Sequence, residues 1–234
     1  MAASVGGMRG PGRHHDGCPS VAAGYRPPPV VRPSRPPDLP RIASVGHHGP
    51  VGTVVDPMQA AETYRRTLLD LLGGDDPAVA QSGTAARLRD LLERAGPNLR
   101  ARPEPGEWSV IECVGHLVDS ELTTAARVRW IIAEDQPDIV AYDQALWVDR
   151  LRHGDDDPDD LIAMFEVLRD ANLRLWRSRP EEDRRRFGLH RERGPESYGL
   201  IVRLAAGHDR LHLDQAERAL ASVRSRGQAA VDPR

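Results

Sequence analysis

Apolar residues recur along this chain at helical rather than strand spacing, and they begin to do so only after residue 55. Asp56-Pro57 offers an N-cap followed by a first-turn proline, and MQAAETYRRTLLDLLGG then repeats apolar positions every three or four residues up to a Gly-Gly stop. A second helical piece, TAARLRDLLERAG, ends at Gly96-Pro97 and reads as part of a long connection. Ser109 and Glu112 have the spacing of a capping box, with Trp108 as its hydrophobic staple. Beyond them Ile111, Gly115, Val118, Leu122, Ala125 and Ile132 trace one stripe of a third helix. AYDQALWVDRLRHG reads as either a short helix or an irregular excursion across the bundle. At Asp157-Pro158 another cap opens a helix with Leu161, Phe165, Leu168, Asn172 and Leu175 on one face, stopped by Pro180. After a polar linker the last long helix carries Ile201, Leu204, His208, Leu211, Gln215 and Ala219 in line. Four long amphipathic helices and no convincing strand predict an all-α fold, a four-helix bundle spanning residues 56–226.

The flanks differ in kind. Residues 1–55 are rich in Pro, Gly and Arg and have no periodicity, so they cannot bury enough apolar surface to offset the entropy of ordering. They are expected to be disordered, as are residues 227–234, and the paired histidines His14, His15, His47 and His48 to be solvated tail residues. Translation starting nearer Met58 is the other reading of that segment. All 32 side chains of the Lys and Arg class are arginine, which points to a GC-rich coding genome, and the net charge of −3 shows no footprint for nucleic acid. No run is long and apolar enough to span a membrane. Two cysteines, Cys18 and Cys113, make no disulfide framework, so a cytoplasmic location is expected, with Cys113 a small buried filler.

Chemistry enters through histidine. His208 and His212 are one turn apart, so both imidazoles project from one side of the last helix. His116 lies beside the apolar stripe of the third helix, and three inward imidazoles form a facial set for one divalent cation. Glu112 and Asp119 stand one turn on either side of His116, as ligands, bases or acceptors for an imidazole N–H. Capping accounts for Glu112 fully, and Asp119 is either a solvated helix residue or such a partner. Gln215, in line with the histidine pair, is placed to reach a bound water or cofactor. Asn172 needs a hydrogen-bond partner on its apolar face, supplied either by the site or by a helix-helix tie. His190, read as a loop residue, is a candidate for the pocket mouth, whereas Asp209 and Asp214 fall off the stripe and read as surface.

With EWSVIECVGHLVDSE, YDQALW, LRDANLRLW and AAGHDRLHLDQ in hand, the chain resembles the DinB superfamily of YfiT-like metalloenzymes and thiol transferases, from about Asp56 to Arg226. The resemblance implies up-down-down-up connectivity, zinc or nickel on His116, His208 and His212, and a homodimer. It also implies a low-molecular-weight thiol, with mycothiol preferred on the GC-rich composition, transferred to a small-molecule electrophile in detoxification. Asp119 or Glu112 would accept a proton, and Asn172, Gln215 and His190 would line the cofactor site. A hydrolase working through a metal-activated hydroxide uses the same ligands. A non-catalytic, stress-associated metal-binding bundle is the reading from another class.

Overall fold

The computed structural model describes residues 57–231, with side chains over 61–228. The N-terminal segment expected to be disordered, and the Asp56 cap, lie outside the described residues. Helix α1 (Pro57–Leu72) ends at Gly73, whose positive φ of 64° turns the chain into α2 (Pro77–Ser82) and α3 (Thr84–Ala95). Asp76 caps α2, accepting from the backbone N–H groups of Ala78 and Val79 at 2.9 and 3.0 Å. The expected connection is therefore two helices, the first absent from the sequence reading. Helix α4 (Val110–Ala133) starts at Ser109, whose backbone N–H and hydroxyl both donate to Glu112 Oε2, at 2.8 and 2.7 Å. Helix α5 (Gln144–Leu151) settles the ambiguous excursion as a short helix. It stops at Arg152, a non-glycine residue in the left-handed region, which folds the chain into a 3-10 turn over His153–Asp155. Asp157 caps α6 (Pro158–Ser178), accepting from the N–H of Asp159 at 2.8 Å, and α7 (Tyr198–Val231) completes the bundle.

Helices α1, α4, α6 and α7 are the four long ones: α7 packs on α1 and α4, and α4 packs on α6. The first ten residues of α4, Val110–Asp119, are all buried, because α3, α6, α7 and the 3-10 turn enclose that half of the helix. A helix wrapped on every side has no polar face, so the predicted stripe is only part of its buried surface. Leu122, placed on that stripe, is 41 % exposed where the wrapping ends. Ile111, Val114, Leu117, Phe165 and Leu213 form the central apolar cluster. At Gly207 a Cβ would lie 2.0 Å from the Leu68 carbonyl oxygen, so glycine there allows α1 and α7 to touch backbone to backbone.

The all-α bundle stands as expected, with three short strands that the sequence did not show. Residues β1 (Asp138–Ile139), β2 (Phe187–His190) and β3 (Gly194–Ser197) form a small sheet, with β1 parallel and β3 antiparallel to β2. His190 therefore sits in a strand, opposite Gly194, and is buried. The sheet is tied to the end of α4 by Arg186, whose guanidinium donates to the carbonyls of Ile131 and Glu134 at 2.9 and 2.7 Å. The last helix runs on to Val231, past the expected boundary at Arg226, so residues 227–231 are helical and only 232–234 of that tail fall outside the description. Among the described residues no helix is long and apolar enough to cross a membrane.

Candidate metal centre

The capping box fixes where α4 begins, and His116 follows two turns in, facing the middle of α7. There His208 and His212 meet it: ring centroids lie 4.4 Å apart for His116–His212, 4.3 Å for His208–His212 and 5.0 Å for His116–His208. One ring nitrogen from each histidine lies within 4.8 Å of the other two, and all three residues are buried. His116 Nε2 and His208 Nε2 are 3.1 Å apart. Two imidazole nitrogens about 2.0–2.1 Å from one zinc ion stand about 2.9–3.4 Å apart for angles between octahedral and tetrahedral, so the observed spacing fits a shared cation.

The surroundings favour neutral, ligating imidazoles. Burial pushes His116 well below the ordinary histidine range, reinforced by His212, His208 and His153. Burial also lowers His208 to about 4, helped by the positive fields of Arg169, Arg193 and Arg127. Gln215 Oε1 accepts from His212 Nδ1 at 2.8 Å, which puts the proton on Nδ1 and leaves Nε2 as the donor atom toward a cation. Ser120 Oγ lies 3.4 Å from His208 Nδ1. His116 Nδ1 is buried without a partner among the described residues. Trp108 covers the cluster, its ring 5.0 Å from His116 and 5.9 Å from His212.

The other candidates divide. Glu112 is committed to structure: besides the cap, both its oxygens accept from Arg102 Nε at 3.0 Å. Burial works against its charge, but Arg102 and Ser109 outweigh it and hold the carboxyl below its usual range. The Ser109 contacts are the capping role that the sequence offered for Glu112. Asp119 is buried and accepts from His153 Nε2 at 2.8 Å, while His153 Nδ1 lies 2.6 Å from Asp156. Burial alone would lower His153, but the two carboxylates raise it. Its ring packs on Gly115, where a Cβ would fall 2.4 Å from it. Sequence reasoning missed His153, and the small residue next to His116 was its one signal.

Asn172 ties α4 to α6: its amide donates to Glu121 at 2.7 Å and accepts from Arg129 at 2.9 Å. Asp209, expected on the surface, is 4 % exposed and bonded to Arg169 at 2.6 Å. His190 ends β2, its Nδ1 accepting from the N–H groups of Glu192 and Arg193 in the hairpin turn at 3.2 and 3.3 Å.

Known proteins resemble this chain in sequence and in fold. A family model described as the DinB superfamily matches residues 81–216. A candidate metal-dependent hydrolase from Oceanobacillus iheyensis is 28 % identical over 109 residues, which is 46 % of this chain and 62 % of that protein. Another, from Bacillus cereus, is 29 % identical over 107 residues, 46 % of this chain and 61 % of its own. The alignments thus span about three-fifths of these relatives' length. The solved structure of YfiT from Bacillus subtilis, described as a candidate metal-dependent hydrolase with an unusual four-helix bundle topology, superposes with a TM-score of 0.56 at 19 % identity, covering 78 % of this chain and 95 % of that one. That likeness bears on the fold, a four-helix bundle. With more than half of its length matched by the family model, the chain belongs to the DinB superfamily.

Proposed function

We propose that this protein is a metal-dependent enzyme for small molecules, and that it transfers a low-molecular-weight thiol of the mycothiol type to an electrophile. The observation that carries the metal is the convergence of three buried imidazoles, with no fourth His, Cys, Asp or Glu grouped with them among the described residues. Structural zinc sites close their coordination with four protein ligands, whereas catalytic sites keep a position open. His116, His208 and His212 would hold the cation, zinc or nickel. Gln215 holds the proton on His212 Nδ1, and Trp108 packs against His116 and His212. Asp119, held in place by His153, is the carboxylate one turn from His116 that would orient the incoming nucleophile. A divalent cation held there would lower the pKa of a thiol or water toward neutrality, so that the nucleophile is available without strong base.

Hydrolysis is the second reading, favoured by the names of the relatives from Oceanobacillus iheyensis and Bacillus cereus. Elemental analysis of the purified protein, followed by product analysis of an electrophilic substrate with and without mycothiol, tests both. The transferase reading expects a thiol adduct that forms only when metal and thiol are both present. Hydrolysed product at the same rate without thiol overturns transfer in favour of hydrolysis, and a protein that retains no divalent metal overturns both.

A further inference from the structure

Next to the histidines, toward the β2–β3 hairpin, lies a second polar cluster with more positive than negative charge. Ser120, which reaches His208, stands with Thr123 beside Tyr142. One turn beyond Thr123, the half-buried Arg127 lies over the Tyr142 ring, 5.7 Å from its centroid, and donates to the Val140 carbonyl at 2.8 Å. No carboxylate lies within hydrogen-bonding distance of Arg127 among the described residues. From the hairpin side, Arg193 is bonded twice to the fully buried Glu196, at 2.7 and 3.0 Å. Arg65 of α1 donates to the Arg193 carbonyl at 2.9 Å and stands 3.6 Å from the same Glu196. Three guanidinium groups thus share one carboxylate.

His190 sharpens the imbalance. Its Nδ1 accepts two backbone N–H groups, so its ring proton must sit on Nε2. That Nε2 is buried and has no acceptor, in a side chain 3 % exposed. An orphaned buried donor is costly, and so is a half-buried cation whose nearby carboxylate, Glu196, is already bonded to Arg193. Burial lowers His190 to about 4, with Arg193, Arg127 and Arg65 adding to the effect and Glu196 opposing it, so the ring stays neutral and donates through Nε2 alone. The same Arg193 and Arg127 act on His208, which places the cluster within electrostatic reach of the candidate metal centre.

We infer that Arg127 and His190 form a carboxylate-binding subsite, and that the small-molecule substrate is a carboxylic acid anchored there with its reactive end toward the three histidines. Arg127 bonds the carbonyl of Val140, the residue after the Ile139 that pairs with His190, so a guanidinium held at the end of β1 and a ring N–H from the neighbouring β2 are available as donors to a singly charged carboxylate. The ligand's standing as a substrate rests on the metal-dependent function proposed above, but its binding does not.

Calorimetric titration of the full chain with benzoate, benzamide and phenyl phosphate tests the subsite, with metal content measured on each preparation. Benzoate should bind about tenfold or more tightly than the neutral, isosteric benzamide, and should do so in metal-loaded and chelator-treated protein alike. Arg127→Gln should remove that preference, while Arg127→Lys, which keeps the charge, should retain most of it. Equal affinity for benzoate and benzamide in the wild-type chain overturns the subsite without recourse to any variant. Benzoate binding that vanishes with the metal also overturns it, by assigning the carboxylate to the cation. Tighter binding of phenyl phosphate overturns the choice of carboxylate. Protein that retains no divalent metal as purified, yet still prefers benzoate, leaves the subsite standing and removes only the catalytic reading.

Discussion

Helix α7 carries two buried polar groups on adjacent residues, and they behave in opposite ways. Asp209 belongs to a closed network: Arg169 bonds it at 2.6 and 3.1 Å, reaches Glu121 at 2.7 Å and the Gln81 carbonyl at 3.1 Å, and Thr84 donates to Asp209 at 2.8 Å. Burial opposes the charge on Arg169, but Asp209 and Glu121 more than restore it. Only its Nε lacks a partner. His208, next in sequence, meets the His116 imidazole and the Ser120 hydroxyl instead of a carboxylate, and burial keeps it neutral. A buried polar group answered by opposite charge is a fastener. Neutral donors that converge on one another are answered only by something that arrives, and here that is a cation.

The contrast makes reciprocal predictions. Arg169→Leu should cost about 3–5 kcal/mol of unfolding free energy, because it strands Glu121 and Asp209 as unpaired buried carboxylates. Denaturant unfolding measures it, and adding Glu121→Gln and Asp209→Asn should recover much of the loss. A single-variant loss below about 1 kcal/mol would mean that the network is wet and not a fastener. His212→Ala should do the reverse, losing most bound metal while the metal-free fold weakens by only about 1–2 kcal/mol. Metal content unchanged in the alanine variants of His116, His208 and His212 would dissolve the distinction between the two regions.

Acid separates the regions again. The folded-state pKa of His208 is lowered to about 4, below its unfolded value of 6.5. Between those values the unfolded chain binds a proton that the folded chain refuses, so stability is present above 6.5 and declines as pH falls toward 4. The decline amounts to about 1.4 kcal/mol per pH unit for such a group. His116 and His190, also lowered, act in the same direction. His153 is raised, so its contribution is present below 6.5 and is lost as pH climbs through its elevated value. Melting of the chelator-treated protein across this range should therefore show the steeper loss on the acid side. Replacing His208 by Phe should flatten that limb and leave the alkaline one alone.

The same contrast explains what the sequence could show. Ser109, Glu112, Asp157 and Pro158 sit where local backbone chemistry acts within a few residues, so the starts of α4 and α6 were legible. His208 and His212 were legible because one helical turn relates them, and His116 because it adjoined an apolar stripe. Arg169 and Asp209 were not, since an Asp off the stripe reads as surface until an arginine 40 residues away meets it inside the bundle. Strands β2 and β3 escaped notice for a related reason. They are four residues each, β3 contains Pro195, and their partner β1 is only two residues long. His190 consequently looked like a loop residue, and the Arg127 cluster that the hairpin completes could not be foreseen.

The finest test of the comparison lies at Gln215. If the histidine cluster were merely packed, Gln215 would be one more satisfied amide, and replacing it by Leu would change little beyond a surface hydrogen bond. If the cluster awaits a cation, Gln215 has a defined role, because its Oε1 accepts from His212 Nδ1 and thereby keeps the proton off Nε2. Gln215→Leu then frees the imidazole to exchange tautomers and to rotate, and metal affinity should fall about 10–100-fold while unfolding free energy changes by under about 1 kcal/mol. Gln215→Glu keeps an acceptor at the same place and adds a negative charge, so it should hold affinity at or above the wild-type value. Competition against a chelator of known affinity reads both variants on one scale. Equal affinities for all three proteins would show that the His212 proton is fixed by something other than Gln215, and the line between fastener and site would have to be redrawn one turn earlier on α7.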